Sequence, residues 1–246
     1  MNQNTMRQRA ENYLRRNTDQ NINLLAALHD GIAEVAAAEE KGCLLCTGGE
    51  IWQIAAADTE TALCFYERIP AGTTMLEVQD VAQIEPVAAR FQPRCIETYY
   101  NVWYDRPDMA VDADALPYEV RTLSPEEAGQ LARYYHLPGP DAGKLEETAA
   151  YLRSRADGSL FALYDGAALL GFAGTHDEGS MGLLTVLPAY RRRGLGSVLE
   201  RLSIARALER GHLPFAQVAQ GNEASLALQR SLGMRVAAEQ VCWMDK

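Results

Sequence analysis

No apolar run in this 246-residue chain approaches the ~20 residues that a membrane-crossing helix needs. The opening stretch, Met1 to Asn17, is polar and has no apolar centre, which argues against a secretory signal. Positive charge is also scarce. Twenty-three Lys and Arg stand against 33 Asp and Glu, a net charge of −10. That argues against a general nucleic-acid binder, which carries a basic face. Cysteines are few and odd in number: Cys43, Cys46, Cys64, Cys95 and Cys242. Irregular spacing suits reduced thiols in the cytoplasm better than a disulfide framework. Cys43 and Cys46 form a C-x-x-C, but Leu44 and Leu45 lie between them and no second pair stands at zinc-ligand spacing. The pair is therefore read as part of a buried strand, and no metal is expected.

With 48% hydrophobic and 23% charged residues, the composition is that of a soluble globular protein. An Asp-, Ala- and Pro-rich break at 106–117 divides the chain. Residues 1–116 are expected to form one α/β domain and 117–246 a second. In the first, helices are predicted over 5–16 and 21–40. Asn21 is read as a cap, and Leu24, Leu25, Leu28, Ile32 and Val35 as an apolar stripe. Strands at 42–46 and 51–56 flank the turn Gly48-Gly49. A helix over 59–67, a strand over 74–78, a helix around Pro86 and a strand over 94–104 follow. The second domain reads β-α-α-β-β-β-α-β-α-β-β, a mixed sheet with helices on both faces. Ser124-Pro125-Glu126-Glu127 is a capping box. Asp165-Gly166 is a hairpin turn, and the last two strands are predicted at 234–238 and 240–244.

Against the acidic background one segment is basic: Val186-Leu187-Pro188-Ala189-Tyr190-Arg191-Arg192-Arg193-Gly194-Leu195-Gly196. Pro188 ends the preceding strand. Gly194 and Gly196 let backbone approach a ligand, and the helix that follows offers unpaired N–H groups and a positive dipole end. Arginines add forked donors. The pattern specifies an anion site of pyrophosphate type. A P-loop is disfavoured because no Gly-Lys-Ser/Thr follows. A Rossmann fingerprint is disfavoured because the preceding strand is entered through hairpins.

These residues resemble the GCN5-related N-acetyltransferase superfamily. Its core motif is a strand ending L-x-V-x-P, then Arg/Gln-x-x-Gly-x-Gly/Ala. The chain has Leu184-Thr185-Val186-Leu187-Pro188, then Arg191-Arg192-Arg193-Gly194-Leu195-Gly196. The next family motif, Asn with Ala or Ser three residues on and a closing Gly-Phe, is matched by Asn222, Ser225 and Leu232-Gly233-Met234.

The resemblance covers about 118–246 and implies an acyl-CoA site. Backbone of Leu184, Thr185 and Val186 would pair with the pantetheine arm. Arg191 through Ser197, namely Arg191, Arg192, Arg193, Gly194, Leu195, Gly196 and Ser197, would hold the pyrophosphate. Asn222 and Ser225 would touch the pantetheine or thioester end, although Asn222 also reads as a plain N-cap. Where many members carry an acid Tyr, this chain has Gln229, which cannot supply a proton. The base is unassigned. Asn222, Gln229 and Glu178 are the catalytic candidates, while His176, Asp177 and Glu178 also read as turn residues. His136 ends a helix, and Tyr134 and Tyr135 line an acceptor pocket or belong to the core. In the strand over 94–104, half of Tyr99, Tyr100, Trp103 and Tyr104 should be core. By analogy with tandem members, the first half is a silent copy of the fold.

The expected function is transfer of acetyl from acetyl-CoA directly to a primary amine, a small molecule or peptide, without metal or covalent enzyme intermediate. No nucleic-acid or membrane partner is expected, and the protein is a monomer or homodimer. The alternative is an acyl-CoA-binding sensor or interaction module without turnover.

Overall fold

The chain folds as two units. The computed structural model describes residues 2–113, 115–135 and 144–246. Unit 1 comprises Met1–Trp103 and Phe215–Lys246; unit 2 is Tyr104–Pro214. This is not the linear division near residue 116. The strand over Cys95–Trp103 pairs antiparallel with both of the last two strands, so the C-terminal segment belongs with the N-terminal one.

In unit 1, helices α1 (Gln3–Leu14) and α2 (Ile22–His29) lead to strands β1 (Ala33–Glu39), β2 (Gly42–Thr47) and β3 (Ile51–Ala56). Helix α3 (Thr59–Tyr66), β4 (Met75–Val78), α4 (Ile84–Phe91) and β5 (Cys95–Trp103) follow. The helix predicted over 21–40 is corrected: it stops at His29, and 33–39 is a strand. Gly31 takes a φ of +73°. Its N–H donates to Leu28 C=O, and that of Ile32 donates to Ala27 C=O at 3.0 Å. This is a left-handed helix stop, which glycine adopts without strain. Beyond it Ala33 and Val35 face inward and alternate with Glu34, a two-residue period. Asn21 is also corrected. It precedes α2, but its side-chain amide donates backwards to Leu14 and Asn17 C=O instead of capping.

The remaining strands of the chain are β6 (Glu119–Thr122), β7 (Phe161–Asp165), β8 (Ala168–Thr175), β9 (Met181–Val186), β10 (Phe215–Ala219) and β11 (Arg235–Asp245). Unit 1 orders its strands β1-β2-β3-β4-β11-β5-β10, with β3 and β4 parallel. The two strands predicted at 234–238 and 240–244 are one, β11, with a bulge between Val236 and Gln240 opposite Val102 and Tyr100. Leu24, Leu28 and Leu45 pack in one cluster, while the neighbouring Leu44 packs with Phe65, Val87 and Phe91 in another. Helices therefore cover both faces of this sheet.

Unit 1 also buries a carboxylate. Glu77, fully buried on β4, accepts from Asn23 Nδ2 at 2.8 Å and from Gln53 and Gln217 Nε2 at 2.7 Å. A second layer orients these amides. Thr47 donates to Gln53, Asn101 donates to Asn23, and the Trp243 indole donates to Gln217. Six elements thus converge on one acidic group.

Unit 2 orders its strands β9-β8-β7-β6, all antiparallel. Helices α5 (Pro125–Gln130) and α6 (Leu145–Ser154) pack on one face with Leu160, Phe172 and Leu183. Helix α7 (Leu195–Glu209) packs on the other with Phe161, Leu163 and Leu170. The capping box at Ser124 forms as expected, Ser124 and Glu127 bonding reciprocally. Helix α8 (Glu223–Ser231) belongs to unit 1. His136, expected at a helix end, lies outside the described residues. Among the described residues no helix is long and apolar enough to cross a membrane.

Candidate functional site

Strand β9 is irregular at one point. Phe172 stands opposite Thr185 and Gly174 opposite Gly182, so β9 carries one residue more than β8. The extra residue is taken up at Leu183, buried and at φ +52°. A branched side chain in the left-handed region is strained, and bulges with such strain gather at functional sites. Packing holds it: Leu183 lies in the core cluster with Leu160 and Phe172.

Beyond the bulge the ladder resumes. Leu187 N–H donates to Leu170 C=O at 3.0 Å. Bonded and non-bonded pairs alternate in an antiparallel ladder. Thr185 therefore faces β8, while Leu184 and Val186 turn their backbone groups away from it. Of the three residues expected to meet pantetheine, Leu184 and Val186 have the orientation an added strand needs. Val186 C=O already accepts from Arg191 Nε at 3.0 Å.

β8 approaches β9 closely through glycine. A Cβ at Gly171 would stand 2.5 Å from Thr185 O and 3.1 Å from Leu199 Cδ1. Gly171→Ala is expected to cost about 1–3 kcal/mol through this overpacking. Faster hydrogen exchange of the β8 and β9 amides measures it; unchanged exchange would show that the strands can part freely.

After Pro188–Tyr190, one 3-10 turn, the chain reaches the arginines. All three are exposed, and Arg193 stacks on Tyr190 at 5.7 Å. Arg192 (φ +64°) and Gly194 (φ +78°) are left-handed. These two positive-φ positions bend the backbone sharply on its way into α7. Gly194 is the N-cap of α7; no side chain caps that helix, and its first turn holds no acidic residue. The corresponding turn of unit 1, between β3 and α3, is different. Asp58 caps α3, accepting from Thr61 N–H at 2.8 Å. Its carboxyl is held well below the usual range by Thr61 and by Lys41. That helix start carries its own anion.

Of the other expected site residues, Asn222, Ser225 and Gln229 lie in unit 1 and Glu178 lies in unit 2 with the loop. Asn222 caps α8, its side-chain oxygen accepting from Ser225 N–H at 3.1 Å, so the plain cap is realised and only its NH2 remains to donate. Gln229 is buried on α8, and its side-chain oxygen has no hydrogen-bond partner among the described residues. Glu178, half-buried, is held by the Ser180 hydroxyl. Trp103 donates to Asp19 at 2.9 Å and Tyr104 is buried. Tyr134 is exposed, whereas Tyr135 packs edge-on against Phe172. Cys43 is buried in β2, its thiol pushed up to about 12 by burial.

Sequence reading set aside one group that the fold assembles. Tyr151 on α6 and His176 after β8 meet, Tyr151 Oη to His176 Nδ1 at 2.8 Å, with the rings stacked 6.0 Å apart. Arg155 braces the same hairpin, donating to Thr175 C=O at 2.9 Å and to Asp177 at 2.6 Å.

Residues 160–244 match the family model of FR47-like protein. No curated protein matches the chain in sequence. Among solved structures, a Drosophila protein aligns over 100% of this chain and 97% of its own at TM-score 0.68 and 14% identity. A GCN5-related N-acetyltransferase from Kribbella flavida aligns over 93% and 96% at TM-score 0.54 and 14% identity. A GNAT-family acetyltransferase structure from Novosphingobium aromaticivorans, described as putative, aligns over 92% and 96% at TM-score 0.52 and 18% identity. At these identities the likeness is one of fold.

Proposed function

We propose that this chain is an acyltransferase of the GCN5-related N-acetyltransferase type, which transfers an acetyl group from acetyl-CoA directly to the nitrogen of a primary amine. One observation carries the reading: an uncapped helix start at left-handed Gly194, directly after a bulged strand and three arginines. In this reading the amides of Arg192 to Ser197 and the exposed arginines hold the pyrophosphate. The backbone of Leu184 and Val186 pairs with the pantetheine arm, and Arg191 leaves Val186 C=O when it does. A β9 amide beyond the bulge stabilises the oxyanion. Unit 1 has no comparable anion site at α3, because Asp58 occupies that helix start. We read the first half as a silent copy of the fold.

Calorimetry with acetyl-CoA, followed by thiol release across a panel of amines, tests the proposal. Binding with release on at least one amine supports it; no heat with acetyl-CoA would sink it. A second reading, an acyl-CoA sensor without turnover, draws on Gln229, which stands where relatives place an acidic Tyr. Binding without release on any amine would favour that sensor. In the transferase reading coenzyme A leaves as a good leaving group without Gln229. Gln229→Ala should therefore lower kcat by less than about tenfold, far below the effect of losing a general acid. A hundredfold loss in a folded variant would give Gln229 a direct role.

A further inference from the structure

The Tyr151–His176 pair lies on the α5/α6 face of unit 2, in contact with the start of β9. A Cβ at residue 182 would stand 2.5 Å from His176 Nε2 and 2.6 Å from its Cδ2, so Gly182 leaves the imidazole the room to lie over the strand. Along β9 the order is the imidazole at Gly182, the bulge at Leu183, the outward amides of Leu184 and Val186, and then the anion loop. The imidazole and the loop therefore occupy opposite ends of the strand. If the pyrophosphate lies at the loop and the acyl group at the bulge, the next position belongs to the attacking nitrogen.

We propose that His176 is the general base that takes the proton from the acceptor amine, with Tyr151 as its positioning residue. The inference rests on the acyltransferase reading above.

Nδ1 is engaged by Tyr151, which fixes the ring and leaves Nε2 for the substrate. The Tyr151 phenol is pushed far up by burial, with Glu178 and Asp177 adding to the effect, so it stays a neutral O–H at working pH. In the base form Nδ1 carries the ring hydrogen and donates it to Tyr151 Oη, so the lone pair on Nε2 is free to take a proton. The charged and titratable groups around the pair are Arg155 of α6, Tyr135 after α5, and Asp177 and Glu178 of the hairpin. Arg155 is turned to Asp177 and to the Thr175 carbonyl; Glu178 is held by Ser180. In the step, the amine nitrogen bonds to the acyl carbon and its proton passes to Nε2. The C–S bond breaks, and its electron pair stays on the coenzyme A sulfur as thiolate.

The test uses the full chain, with acetyl-CoA as donor. Spermidine, a lysine peptide, tyramine and hydrazine serve as acceptor probes. His176→Gln should lower kcat/KM on a basic amine about 100-fold or more. Acetyl-CoA affinity by calorimetry should stay within about threefold. Hydrazine, a much weaker base than an alkylamine and already partly neutral at pH 7, should lose less, a selectivity that a mere folding defect would not produce. Tyr151→Phe removes the oxygen that accepts from the imidazolium, so the ring pKa should fall. The acidic limb of the rate profile then moves to lower pH, and the His176 ring resonance of the free protein, followed by NMR, titrates lower. Turnover in His176→Gln within threefold of wild type on basic amines would overturn the base assignment and leave the transferase reading standing. An NMR titration unmoved in Tyr151→Phe would remove Tyr151 from its role. No thiol release by wild type on any probe, with acetyl-CoA bound, would reject the transferase reading and this inference with it.

Discussion

Gly194→Asp should bind acetyl-CoA roughly 100-fold more weakly than wild type, on the order of 2.7 kcal/mol, while unfolding at nearly the same temperature. The two halves of that expectation have separate causes. Nothing lies within 4 Å of a Cβ built at Gly194, so the side chain enters open space. Asp is also among the residues that tolerate a left-handed backbone, and it is a favoured N-cap. Asp58 caps α3 from an extended backbone, whereas residue 194 is left-handed, so Asp here carries a small backbone strain that its tolerance of that region limits. The ligand does not tolerate the change. The new carboxylate takes the first-turn N–H groups and sets a negative charge beside the pyrophosphate. Gly194→Ala supplies the control: it has the backbone strain without the charge, and should lose less than tenfold. Calorimetry on the three proteins decides, and equal affinity in Gly194→Asp and wild type would remove the loop from the donor site.

The second large effect concerns stability. Glu77→Ala should destabilise unit 1 by about 2–5 kcal/mol, from the buried donors it strands and the cavity it leaves. Asn23 and Gln53 would lose their acceptor, while Gln217 Nε2 keeps Asn101 Oδ1 at 3.0 Å; each buried donor left without a partner costs about 1–3 kcal/mol. A cavity adds to this. Trp52, Trp103 and Trp243 all lie in unit 1, so tryptophan fluorescence in urea follows this unit selectively. The expected result is a lower midpoint with an unchanged slope. Glu77→Gln keeps the shape and should cost less than Glu77→Ala. A loss under about 1 kcal/mol in Glu77→Ala would show that the amides find other acceptors.

Much of the fold was legible because its signals are local. Strands β2 and β3 were read from apolar runs around Gly48-Gly49, and β7 and β8 from the turn at Gly166. The capping box at Ser124 needs only four consecutive residues. The misreadings have a common origin. From Leu24 to Val35 the apolar spacing suits a helix, and Asp30-Gly31 was the contrary signal. The helix stop at Gly31 prevailed, and 33–39 gained a ladder with β2. With β1 restored, both halves run α-α-β-β-β-α-β-α-β, a repeat hidden while 21–40 was read as one helix. β11 looked like two strands because Ala238 and Glu239 interrupt its pattern; a bulge absorbs them.

At the site the same division holds. The Arg191–Gly196 loop is contiguous, and a helix start advertises itself by glycine and the lack of a side-chain cap. Its chemistry is therefore written in eleven neighbouring residues. Asn222 and Ser225 were recognisable as a cap for the same reason. Tyr151 and His176 were not recognisable as a pair. Twenty-five positions separate them, and they meet only because α6 packs over the end of β8. Glu77, one acidic residue in a short apolar strand, likewise announced nothing. Its partners come from α2, β3 and β10.

By itself the sequence determined the mixed α/β class, most strand positions and the glycine-marked turn into α7, since each depends on hydrogen bonds and backbone freedom within a few residues. Tertiary structure alone decided which segments form a unit, where β9 bulges, and which buried acid and which imidazole acquire partners. Those outcomes depend on packing between distant segments, whose energies no short stretch of residues contains.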